Sequence, residues 1–97
     1  MEAKLQLYAL TKGSEVHPED VLITEDPNEP KHPRLGFAKR FLQHIVADNY
    51  PMLHEGDQFK ENTLLFTFKV QHVHITRAGD YEFAVEKRIV VTGILID

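Results

Sequence analysis

The stretch IVVTGILI, Ile89 to Ile96, is apolar at six of its eight positions. On a strand, successive side chains point to opposite faces. Ile89, Val91 and Leu95 therefore share one side, and Val90, Ile94 and Ile96 the other. A strand that is apolar front and back expects cover on both faces. Where the rest of the chain can supply that cover decides the fold.

Upstream, YEFAVEK carries the strand pattern back to Tyr81, and TLLFTFKVQHVHIT (Thr63 to Thr76) forms a second run. Only RAGD, Arg77 to Asp80, separates them, so residues 62–96 read as one long β-hairpin. Two closures are compatible with the residues. A two-residue loop at Ala78 and Gly79 sets His74 against Phe83, His72 against Val85, Phe68 against Ile89 and Phe66 against Val91. Alanine resists the positive φ that such a loop requires. A three-residue loop, Arg77 to Gly79, fits better. It pairs His74 with Glu82, Val73 with Phe83 and Ile75 with Tyr81, and needs a bulge near Glu86 to Arg88. Arms of about fourteen residues at about 3.3 Å each make a ribbon roughly 45 Å long. A compact chain of this size is only about 30 Å across. The ribbon must curl or project.

The cover for one face comes from PRLGFAKRFLQHIVADNYP, the single helix pattern, over about residues 33–49. Leu35, Ala38, Phe41, Leu42, Ile45 and Val46 fall on one stripe, with Lys39, Arg40, Gln43 and Ala47 opposite. Pro33 suits the first helical turn, and Asn49 in a left-handed conformation, followed by Pro51, suits its end. KLQLYAL alternates and predicts a strand with Leu5, Leu7 and Ala9 inward. Between strand and helix lies a Pro- and acid-rich loop, residues 11–34, in which only VLIT (Val21 to Thr24) predicts a short edge strand. MLHEGDQFKEN predicts a second loop. The fold class is α+β: a small antiparallel sheet with a long C-terminal hairpin packed on one α-helix.

The totals bound the function. The 97 residues make one domain, 1–97; 42% hydrophobic and 27% charged residues exclude wholesale disorder. A net charge of −4 argues against nucleic acid as a partner. The absence of cysteine excludes disulfides and thiolate zinc sites. The N-terminus lacks the features of a signal peptide, and IVVTGILI is too short to span a bilayer. The expected location is cytoplasmic, in the host cytoplasm or the virion for a viral protein, with no membrane partner.

His72 and His74 lie two apart and so point the same way, roughly 6–7 Å from one another, which allows both to reach one metal ion. Glu82 in the three-residue register, or His54 and Glu55, are candidate third ligands. The histidines read equally as structural or surface residues. HIT (His74 to Thr76) resembles one element of two-histidine phosphoesterases, which need two copies where this chain has one. No nucleophile–base–orienter set or phosphate loop occurs, so no catalytic residue and no cofactor are expected. Glu15, Glu19, Asp20, Glu25, Asp26 and Glu29 form an acidic patch, with Lys31, Arg34, Lys39 and Arg40 as a basic one. These charges either neutralise one another locally or mark complementary patches between subunits.

One helix and a short strand cover one face of the final strand, and two answers remain for the second. The long loop folds over it, or a second copy does. The expected function is thus a non-enzymatic assembly or protein-binding module, homo-oligomeric through the hairpin. Its interface would comprise Val73, Ile75, Tyr81, Phe83, Val90, Ile94 and Ile96. Alternatives are a small acidic inhibitor or adaptor docking on another protein, and a metal-binding module or metal-dependent enzyme at His72 and His74. The order VLITEDPNEPKHPRLGFAKRFL followed by a long hairpin resembles, over about 70 residues, the tube-forming proteins of phage tails and related secretion systems. That resemblance implies a ring subunit closed by helix and hairpins, although the chain is short for the full barrel of those proteins.

Overall fold

A computed structural model describes residues 1–79 and 86–97. In chain order these form β1 (Glu2–Leu10), a 3-10 turn (Pro18–Asp20), β2 (Leu22–Glu25), α1 (Leu35–Asn49), β3 (Gln58–Glu61), β4 (Phe66–Arg77) and β5 (Lys87–Ile96). The strands make one antiparallel sheet in the order β2-β1-β5-β4-β3. The expected α+β class holds. No helix among the described residues is long and apolar enough to cross a membrane.

β1 and β5, from the two ends of the chain, are the central strands and pair over their whole lengths, Glu2 with Ile96 through Leu10 with Arg88. Their alternation puts Ala3, Leu5, Leu7 and Ala9 beside Ile89, Val91 and Leu95 in the core. α1 carries the chain from the β2 edge to the β3 edge, so it must cross one face of the sheet. It buries Ala38, Leu42, Ile45 and Val46 there, with Leu35 and Phe41 at the border. Removing Leu42, Ile45 or Val46 from water contributes about 1.5–3 kcal/mol each.

Four local expectations need correction. β3, expected as loop, pairs with β4 from Gln58–Lys69 to Glu61–Phe66; four residues are too few for alternation to announce a strand. Pro33 stands ahead of the N-cap Arg34 rather than in the first turn. Asn49 is not left-handed; its Nδ2 donates to the Ile45 carbonyl at 2.8 Å, and the extended Tyr50 ends the helix. Ala47 is half-buried rather than solvent-facing.

The hairpin register departs from both proposed closures. Phe68 faces Leu95, not Ile89 or Arg88, while Val73 faces Val91 and Ile75 faces Ile89. The bulge lies on β4 between Val70 and His72, not near Glu86 to Arg88. The described pairing ends at Arg77 opposite Lys87, so the turn is not closed at RAGD. Core size on β5 decided the register: Phe66 and Phe68, both fully buried, must lie over the helix-covered face at the base. A turn motif of marginal quality could not compete with that burial. Tyr81, Glu82, Phe83 and Val85, invoked in those pairings, lie outside the described residues.

Candidate association surface

The loop of residues 11–34 packs on the helix side of the sheet. Its buried side chains are Thr11, Val16, Val21 and His32. Gln43 Nε2 on α1 donates to the Val21 carbonyl at 3.2 Å. The opposite sheet face is left open among the described residues. Strand register places its side chains in rows across β1, β5 and β4. Lys4, Ile94 and Lys69 share one row; Gln6, Thr92 and His72 the next; Tyr8, Val90 and His74 the third. Val90, Ile94 and Ile96 are each half-buried there. The interface residues expected on β5 thus lie on the open face, while Val73 and Ile75 lie on the helix-side face.

Val73 and Ile75 have another property. Thr11 N donates to the Lys87 carbonyl, and Ala78 N to the Glu86 carbonyl. Counting by twos from these bonds, odd residues of β5 turn their backbone to β1 and even residues to β4. His72, His74 and Thr76 therefore bond inward to Thr92, Val90 and Arg88. Val73 and Ile75 turn their N–H and C=O groups outward, to the edge of the sheet. β3 covers β4 only at Phe66–Lys69, and the preceding turn reaches Val70 through Asp57 O and Gly56 N. From His72 to Thr76, no described strand pairs with that edge. Ile75 is 40% exposed beside it.

The histidine pair sits on the open face. His72, 75% exposed, has Nδ1 3.9 Å from Glu55 Oε2, and His74 is exposed one row away. Two imidazoles without a held third ligand cannot enclose an ion. Among the described residues no set of three His, Asp or Glu side chains is arranged to hold one; Glu82 lies outside those residues.

The acidic patch is partly engaged. Asp20 Oδ2 pairs with Lys12 Nζ at 2.9 Å, and that bond raises the lysine's affinity for its proton. Glu25 Oε2 accepts from His32 N, and Asp26 Oδ1 from Asn28 N. Glu15, Glu19 and Glu29 remain exposed, as do Lys31, Lys39 and Arg40.

A cluster that the sequence did not announce gathers at Asp97. Met1 N and His32 Nε2 each lie 3.3 Å from its Oδ1, and Arg34 Nη1 lies 3.2 Å from its Oδ2. Arg34 also donates to the Leu64 carbonyl and stacks 4.5 Å above the Phe66 ring. His32 is buried, with Nδ1 accepting from Arg34 N. Burial pushes the Asp97 carboxyl up, but the N-terminal ammonium and His32 outweigh it and hold the group below its usual range. These contacts tie loop to strands and leave no cleft, so they read as structural.

The chain matches no family model, and neither curated proteins nor solved structures gave a match.

Proposed function

We propose that the chain is a non-enzymatic assembly module that self-associates by pairing the outer edge of β4 with the same edge of a second copy. One observation carries the reading: Val73 and Ile75 present outward N–H and C=O groups on an edge that β3 stops short of covering. Such an edge is a template for another strand. The free stretch holds no proline and no lysine, two of the usual guards of an edge, and the bulge at Gln71 lies before it. Two-fold pairing there would continue the sheet across both copies and draw in the exposed Ile75 side chain.

The test follows from which backbone groups face out. Ile75→Pro removes an N–H that points away from β5, so the internal ladder survives while the edge is blocked. Sedimentation velocity at tens of micromolar should show wild type as a dimer or larger and Ile75→Pro as a monomer. A monomeric wild type, or a proline variant of unchanged mass, would overturn the reading.

A further inference from the structure

We infer that the open sheet face receives an amphipathic, acid-flanked helix of a partner protein. Antiparallel sheets often leave one face to water, and then its residues are polar. β1 obeys this over its first half, presenting Glu2, Lys4 and Gln6 before Tyr8 and Leu10. β5 does not: Val90, Ile94 and Ile96 form a ridge about 20 Å long down the middle of the face. Lys4 and Lys69 flank Ile94 from the two neighbouring strands in one row, and Lys60 and Arg88 project from the same face. Among the described residues the carboxylates of this face sit at its ends, Glu2 beside Ile96 and Glu86 beyond Arg88, with Asp26 and Glu55 at its border. A protein of net charge −4 thus sets lysines on both sides of the half-buried apolar ridge at Ile94.

Charge, shape and area select the occupant. A second copy seated face to face would oppose lysine to lysine, which costs association. A ridge bordered by cations matches a helix with one apolar stripe and carboxylates along its flanks. The precedent is internal, because α1, 15 residues long, covers the other face of the same sheet by its apolar stripe. Three strands of 9, 10 and 12 residues and two of four, spaced about 4.8 Å apart, give about 600 Å². A stable complex uses about 800 Å² per partner, so one helix with its flanking contacts suffices. Shallow grooves border the ridge, one of about 320 Å³ beside Lys4, Thr24, Asp26 and Thr92, and one of about 420 Å³ beside Tyr8, Leu10, Leu22 and Glu86.

The probe is a labelled peptide of about 18 residues, roughly 27 Å of helix, with leucines on one stripe and glutamates on both flanks. A twin with lysine for every glutamate is the control. Titration with amide chemical-shift mapping should show saturable binding of the acidic peptide alone, with shifts at Lys4, Lys69, Thr92 and Ile94. Lys4→Ser with Lys69→Ser should weaken it about three- to tenfold. Lys39→Ser with Arg40→Ser, on exposed α1 positions, should not. If the double lysine variant fails to fold, Lys69→Ser alone serves. Equal binding of both peptides, shifts confined to α1, or no peptide binding alongside capture by phosphatidylserine vesicles would each overturn the inference.

Discussion

Gly93 is buried between Leu5 on β1 and Val70 on β4. A Cβ built on it would come within 2.4 Å of the Lys69 carbonyl oxygen and 2.5 Å of Phe68 Cζ. The Phe68 ring therefore lies across the glycine, filling the space a side chain would need. One of these obstacles is backbone and cannot swing aside. Gly93→Ala should cost about 1–3 kcal/mol by overpacking, a fall in melting temperature of about 4–8 °C per kcal/mol for a domain of this size. Thermal melts followed by circular dichroism would decide; a variant as stable as wild type would mean that the ring has room to move. Nothing beside it in the sequence assigns this glycine a role. Its meaning depends on a phenylalanine 25 positions earlier, across a register that local pattern did not reveal.

At the level of elements, what was legible followed period. Leu5, Leu7 and Ala9 on β1, the α1 stripe and the two-sided character of β5 all emerged from alternation or 3.6-residue spacing, because burial enforces both. Registers and short strands did not emerge. Both hairpin closures began from the turn, whereas the two phenylalanines at the base fixed the pairing. Of the association surface, Val90, Ile94 and Ile96 were readable as a surplus apolar face. The outward turn of Val73 and Ile75 was not, since it depends on the bulge at Gln71 and on where β3 ends. That alternation predicts opposite outcomes at adjacent positions. His74 N–H bonds inward to the Val90 carbonyl, so His74→Pro would orphan a ladder carbonyl at a cost of about 1–3 kcal/mol, with added strain. Ile75→Pro leaves the ladder whole and should melt clearly higher than His74→Pro. Equal melting temperatures would show the alternation to be assigned to the wrong set.

For the molecule as a whole, the two central strands come from opposite ends of the chain, and the longest loop must be anchored to them. Asp97 does this: its carboxylate faces Met1 N, His32 of the loop and Arg34 at the start of α1, a partner 63 positions away. No local pattern could predict such a junction, because every member looks like an ordinary polar residue until the sheet order brings them together. The held-down carboxyl makes it visible to pH. An unfolded aspartate ionises near about 3.9, and the folded group ionises lower. Its contribution is therefore present above the unfolded value and is lost as pH falls through the folded one. Asp97→Asn should melt below wild type at about pH 7, and the gap should narrow steadily as both are acidified past about pH 4. Melting curves of the two proteins across that range give the answer directly. A gap that stays constant down to about pH 3 would place the linked proton on another group, and would leave the junction at Asp97 a matter of shape rather than charge.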